Sequence, residues 1–523
     1  MATMAPPALP ASGEPSVRAK WLSGSRKVAA SLSLITLLAF LLRWHGLAAK
    51  SFWLDEAVSV EIARLHWSDF FLILWHREAN MAAYYLVLRF WLLLGDTEGF
   101  VRGVSLLFSV ATVPIIYLLG ARLFGRTAGL LAACLLAINA YHVRYAQEAR
   151  GYSMVVFVAA MATLLLVRNV QEPLGARWGA YTAVCVLAVY THFFGGLVVL
   201  AHIASLAGLR QSDVPWPELR RSLVRFAFLV LPLGASVLHI GTSPVNWIPR
   251  VQASAVLKFF IALAGNNGAR LLVLEAVAVL LAAYWAWNLW RHGERTLDGW
   301  SYALVFAWLL VPVLVLLAAS LVRPLFLGRY LNPCLPALIL IVAAGILRLR
   351  PAILAWGLGG VISAFSLLGV VSYYQKDFDI NRDDWRAASS FIFDHAQPGD
   401  GVFYLNFFGM PLEYYRSQRH PAPAWPQVLN SPDTPGLHYR DFLVTSLGER
   451  LRDARPAGKR VWLILELYDE PNVEPSRVNT VLRAIYGKGR HLVEERATSS
   501  IAVLLFEEAA ANPRTEPPPT PVR

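Results

Sequence analysis

Long apolar runs, separated by short basic turns, fill most of this chain. A helix crosses a bilayer with about 20 mostly apolar residues. Runs of that kind predict membrane helices at 28–47, 101–121, 127–145, 152–168, 178–193, 195–209, 224–241, 269–290, 300–322, 330–347 and 351–373, eleven in all. Two of them, 178–193 and 195–209, are short and meet at Gly195-Gly196. A further run, 81–95 (MAAYYLVLRFWLLLG), is also short and carries Arg89.

Charge decides how 81–95 is used. If it lies in the interface, the N-terminus and five basic loops share one side: 122–126, 168–177, 210–225, 291–298 and 348–350. Basic residues collect in cytoplasmic loops, so the interfacial placement is favoured. The N-terminus is then cytoplasmic, in an inner (plasma) membrane. The outward segments are 48–100, the tight turn at 147–150, then 242–268, 323–329 and everything after about 375.

After residue 375 the pattern changes. Short apolar runs at 401–405, 460–467 and 501–506 alternate with helix-like stretches at 383–395 and 474–486. This predicts a small extracytoplasmic α/β domain over 376–508. The Pro-rich ends, 1–27 and 509–523, read as disordered tails. The expected fold class is thus a polytopic α-helical membrane protein, residues 28–375, with a small C-terminal α/β domain.

Composition agrees. Of 523 residues, 56% are hydrophobic and only 16% charged, which excludes an ordinary soluble enzyme or a disordered chain. The net charge of +12 belongs to membrane topology, because no nucleic-acid recognition motif accompanies it. Cys134, Cys185 and Cys334 lie in apolar runs without metal or disulfide spacing, so they are packing residues. No Walker loop, dinucleotide fingerprint or zinc pattern occurs.

Three places carry candidate chemistry. Asp55 and Glu56 follow Trp53 at the first outward membrane edge. They are either acids at a helix start or a general base beside a lipid-delivered substrate. Glu148, Arg150 and Tyr152 crowd the second outward turn, as a local ion pair or as a second carboxylate with an anion-binding guanidinium. Arg250, Arg323 and Arg329 run against the positive-inside bias, and Arg329 precedes Tyr330 at a span start. They either snorkel or clamp phosphate. His76, Arg77, Glu78, Asn80, Tyr84 and Tyr85 could line a sugar site or form a polar cap, whereas His192 and His202 read as packing histidines.

These pieces occur in a telling order: LDEA at 54–57, AYY at 83–85, GARLFGR at 120–126, YAQEARGYS at 145–153, RPLFLGRYL at 323–331, then DDWRAASSFI and GDGVFYL at 383–405. The chain resembles GT-C membrane glycosyltransferases of the family 39-like group, related to protein O-mannosyltransferases and the lipid A aminoarabinose transferase. The likeness is strongest over 28–170.

The resemblance implies sugar transfer from a polyprenyl-phosphate donor to an acceptor hydroxyl on the outer membrane face, usually with inversion. The acceptor would be a protein, a glycolipid or a polysaccharide. Asp55 matches the catalytic base and Glu56 its neighbour. Glu148 matches a second acid that in some relatives contacts metal or acceptor, so a divalent metal between Asp55 and Glu148 is one expectation. Arg329 matches a donor-phosphate residue. Relatives carry a His-Pro-Pro-like stretch before the tyrosine of the interfacial helix, where this chain has Glu78-Ala79-Asn80-Met81-Ala82-Ala83-Tyr84.

The alternative class is a transporter or flippase for lipid-linked sugars, which predicts polar residues deep in several spans. The spans read as clean, with polar residues at their outward ends.

Overall fold

The computed structural model describes residues 26–241, 245, 248–265, 268–291, 296–377, 384–404, 409–423, 426–428, 460–466, 483, 487, 489–497 and 500–508. Residues 1–25 and 509–523 of the expected tails, and nearly all of the helix-like stretch 474–486, lie outside them, whereas Arg26 and Lys27, expected in the tail, open the first helix.

Among the described residues, eight helices are long and apolar enough to span a bilayer: Arg26–Trp44, Glu98–Phe124, Tyr152–Gln171, Trp216–Ile240, Gly268–Arg291, Leu297–Val322, Gly328–Ile346 and Ala352–Gln375. Each coincides with an expected span. The ninth, 127–145, is a pair, Arg126–Ala137 and Ala140–Ala146, bent by 59°. The last two are shorter apolar helices, Trp178–Thr191 and Phe193–Gly208. Ala253–Ala264, a further short apolar helix, lies in a segment expected to be a loop.

The segment 81–95 forms the helix Ala82–Trp91, only 10 residues long. At about 1.5 Å per residue it cannot cross a bilayer. With Leu54–Arg64 and Trp67–His76 it makes a collar of short helices between the first two spans. Phe71, Trp75 and Phe90 stay exposed on this collar, as suits helices lying in an interface. Arg89 does not point to water. Its guanidinium lies 3.9 Å from the Trp67 ring centre and donates to the Ala63 carbonyl.

The spans are less clean than the sequence indicates. Arg43 and His142 are buried in the bundle. Arg43 donates to the carbonyls of Leu136 and Ala137, at 3.2 and 2.9 Å, where the bent pair breaks. The guanidinium there caps a helix C-terminus, which compensates its negative end without a carboxylate.

The three expected strand segments are all present. β1 (Gly401–Tyr404), β2 (Gln427–Val428), β3 (Arg460–Glu466), β4 (Arg490–Ala497) and β5 (Ile501–Glu508) form one sheet in the order β2-β1-β3-β5-β4. β1 pairs in parallel with β2 and β3, while β5 runs antiparallel to β3 and β4. β5 is buried on both faces and reads as a continuous apolar run. β2 and β4 are not among the expected strands; β4 (RHLVEERA) is a mostly exposed edge, where charged residues block further pairing.

This domain docks on the collar. The Phe52 N–H donates to the Tyr415 hydroxyl at 2.7 Å, and the Trp385 N–H donates to Ser51 Oγ at 3.2 Å. Arg386 pairs with Glu98, and the Tyr414 hydroxyl donates to the Asp96 carbonyl at 2.8 Å.

Candidate active site

Helix Leu54–Arg64 begins with acids in its first turn, which favours the helix dipole. A helical turn separates neighbouring side chains by about 100°, so Asp55 and Glu56 diverge. Glu56 turns inward and is 1% exposed. Its carboxylate accepts from Arg102 Nε at 2.8 Å and Nη2 at 2.7 Å, from the Ala149 N–H at 2.7 Å, and from the Trp53 N–H at 3.3 Å. It thus ties together the first span's exit, the second span and the 147–151 turn. With both oxygens engaged, it has no reach toward a substrate.

Asp55 stays accessible, with its side chain 29% exposed. Its Oδ2 lies 3.7 Å from Arg150 Nη2. Arg150 is buried, and its Nη1 donates to Ser59 Oγ at 3.2 Å, to the Asp55 carbonyl at 3.3 Å and to the Tyr85 hydroxyl at 3.4 Å. The Tyr85 hydroxyl also donates to Glu78 at 3.4 Å. Arg329 faces the same group, with Tyr152, Asp55, Tyr330 and Arg150 as its electrostatic neighbours. The structure therefore brings Asp55, Glu78, Arg150, Tyr152, Arg329 and Tyr330 together from segments remote in sequence.

Enclosure pushes the Glu78 carboxyl up to about 7, and Arg150 only partly offsets this, with Asp55 adding to the rise. The group is thus half charged near neutrality, beside a second carboxylate.

Glu148 belongs to a neighbouring group that shares Arg329 with the first. Burial raises its carboxyl above the ordinary range, opposed first by Arg144, whose Nε lies 3.4 Å from Oε1. Lys50 belongs here too, pushed down to about 8 by burial against the pull of Glu148. Among the described residues no three His, Cys, Asp or Glu side chains gather as metal ligands. Asp55 and Glu148 each face arginines instead, so the donor set does not fit a divalent ion.

Asn80 and Tyr84 hold the frame. The Phe193 N–H donates to Asn80 Oδ1 at 3.1 Å, and the Tyr84 hydroxyl meets Ser105 Oγ at 3.3 Å inside the core. Between them Met81 adopts a left-handed backbone with φ 66, unusual for a residue with a side chain. Gly151 sits in a crowded turn: a Cβ there would lie 3.1 Å from the Thr191 carbonyl and 3.3 Å from Tyr84 Cβ, so its neighbours would have to shift.

Sequence reasoning missed Arg102, while Tyr85, expected as a sugar-site or cap residue, and His192, expected as a packing histidine, both lie against Arg150. A lone arginine in an apolar span, as at position 102, was the available signal for the first.

Residues 78–233 match the family model described as dolichyl-phosphate-mannose-protein mannosyltransferase. In fold, the chain is similar to ArnT from Cupriavidus metallidurans. The apo structure of that protein gives a TM-score of 0.59 at 14% identity, covering 94% of this chain and 98% of that one. The structure bound to undecaprenyl phosphate gives 0.56 at 14% identity, covering 90% and 97%. The chain has the GT-C glycosyltransferase fold. No curated protein matches it in sequence. The segment matched by the family model holds Glu78, Arg150 and His192, while Asp55 and Arg329 lie on either side of it.

Proposed function

We propose that this protein transfers a sugar from a polyprenyl-phosphate donor to an acceptor hydroxyl at the outer face of the membrane. The observation that carries the reading is the pairing of an accessible carboxylate, Asp55, with two arginines, Arg150 and Arg329, at one end of an apolar bundle. The match to a family of dolichyl-phosphate-mannose-dependent transferases and the fold likeness to a protein seen with undecaprenyl phosphate support it.

A lipid-linked donor enters from the bilayer, and its phosphodiester seeks guanidinium partners. Asp55 takes the proton of the acceptor hydroxyl, whose oxygen forms the new bond to the anomeric carbon. The bond from that carbon to the phosphate oxygen breaks, and its electron pair leaves on polyprenyl phosphate. With base and phosphate on opposite faces of the carbon, the product is inverted. Glu56 acts as a positioning residue, and Glu148 with Lys50 and Arg144 lies beside the site toward the acceptor. The N-terminus is cytoplasmic and the α/β domain extracytoplasmic in this arrangement.

The transporter alternative needs a polar pathway through mid-membrane, whereas Arg43 caps a helix break and bonds His142, and Glu275 lies buried in its span with one oxygen unpartnered. Asp55→Asn tests the proposal. In purified protein in lipid, transfer from a radiolabelled polyprenyl-phosphate sugar should fall by about 10²–10⁴, with donor binding retained. Near-normal transfer would remove Asp55 from the reaction.

A further inference from the structure

His192 sits where helix Trp178–Thr191 ends, and is 1% exposed. Its Nδ1 accepts the Phe194 N–H at 3.4 Å. A neutral imidazole carries one proton, so that proton is on Nε2. Nε2 is buried without a hydrogen-bond partner. An unmade bond of this kind is rare in a folded core and is expected where a ligand completes it.

The surroundings define the ligand. The His192 ring centre lies 5.3 Å from that of Tyr330 and 6.0 Å from that of Tyr152. Its charged neighbours are Arg150 and Arg329. Arg150 Nε is likewise buried without a partner, while the Nη1 side of the same guanidinium serves Ser59, Tyr85 and the Asp55 carbonyl. Two donor-only groups are therefore left over in one cluster beside Asp55. The His192 turn is held in place by Asn80, which accepts from the Phe193 N–H.

We propose that the N–H groups of His192 Nε2 and Arg150 Nε together bind the phosphate oxygens of the lipid-linked donor, and of the polyprenyl phosphate left after transfer. This rests on the transfer reaction proposed above and assigns a residue to its phosphate site. The charge favours phosphate over a sugar hydroxyl. Two arginines face Asp55 and a Glu78 that enclosure keeps from full charge, so an anionic acceptor balances the remaining excess, whereas a hydroxyl brings a proton of its own that needs a further acceptor. A neutral N–H also suits a site that must release a more highly charged product, since another full cation would hold that product more tightly.

The test uses full-length protein in lipid nanodiscs and undecaprenyl phosphate as the probe, with undecaprenol as the phosphate-free control. His192→Phe keeps a ring but removes the donor, and His192→Gln places an amide N–H at similar reach. The expected result is a Kd for undecaprenyl phosphate raised about tenfold or more in His192→Phe, since a hydrogen bond to a charged group is lost. His192→Gln should stay within about threefold of wild type, and undecaprenol binding should be unchanged in both. His192→Leu gives the same comparison where the phenylalanine variant does not fold.

Wild-type binding to undecaprenyl phosphate with equal Kd in the apolar variants would overturn the role of His192 and leave the transfer reading intact. So would a loss confined to the sugar-bearing donor, which would make His192 a sugar contact. Displacement of the probe by millimolar inorganic phosphate would show a phosphate site indifferent to the lipid and overturn the donor assignment. A wild-type protein that binds undecaprenyl phosphate no better than undecaprenol would instead sink the transfer proposal itself.

Discussion

Arg102 grips Glu56 through two hydrogen bonds, 2.8 and 2.7 Å, with both side chains buried. The same guanidinium donates to the carbonyls of Leu47, Lys50 and Ser51 at 2.9–3.0 Å. It thereby shapes the segment that presents Asp55. Removing one partner of a buried pair strands the other's charge. Glu56→Gln should therefore destabilise the protein by about 3–5 kcal/mol, measured as a fall in the thermal unfolding midpoint in detergent. Combining it with Arg102→Met should lose less than the two single changes added together. A single variant as stable as wild type would show that the pair does not hold the loop.

Glu78 makes stability depend on pH. Its folded-state value, about 7, stands above the ordinary 4.5. The sign follows from linkage: the contribution is complete below about 4.5 and is lost as pH rises through about 7, because the folded protein resists ionisation. The unfolding midpoint of wild type should fall between pH 5 and pH 8 relative to Glu78→Gln. Parallel midpoints for the two proteins across that range would contradict the enclosure seen here.

Tyr415 couples the α/β domain to the base. Its hydroxyl receives the Phe52 N–H and donates to Glu98. In Tyr415→Phe the buried N–H loses its acceptor, at about 1–3 kcal/mol. Hydrogen exchange should quicken at residues 51–56, and kcat should fall with little change in donor KM. Deleting residues 376–523 would thus disturb the base as well as any acceptor recognition. Unchanged exchange in Tyr415→Phe would confine the domain to a role apart from the base.

The carboxylates of the site face arginines and, among the described residues, form no ligand set for a divalent ion. Transfer should therefore survive a chelator such as EDTA with its rate within about twofold, since the base and phosphate contacts act without a metal. A rate that collapses and is restored by one added divalent ion would overturn that expectation.

Membrane organisation was legible because the bilayer demands it locally: each crossing helix must satisfy its own backbone and show apolar side chains along some 20 residues. The short collar helix at 82–91 was legible for the same reason, from length and the charge of neighbouring loops. β4 was not. An edge strand is polar, and its assignment rests on the partner β5, which lies beyond a turn.

The candidate site divides along similar lines. Sequence alone determined the spanning core, the strands that are buried, and the residue types with enough chemistry to matter, Asp55, Glu148, Arg150 and Arg329 among them. Tertiary structure alone decided which of these meet. Asp55 and Glu56 are neighbours in the chain, yet helical rotation sends one to the opening and the other into Arg102. Asp55 and Glu148 both looked like partners for one metal, yet each finds its own arginine. Glu78, Tyr85 and His192 join Asp55 across distances in sequence that no local pattern encodes. Apolar periodicity is imposed residue by residue by the solvent each helix faces, whereas the convergence of buried polar groups depends on how the finished helices pack.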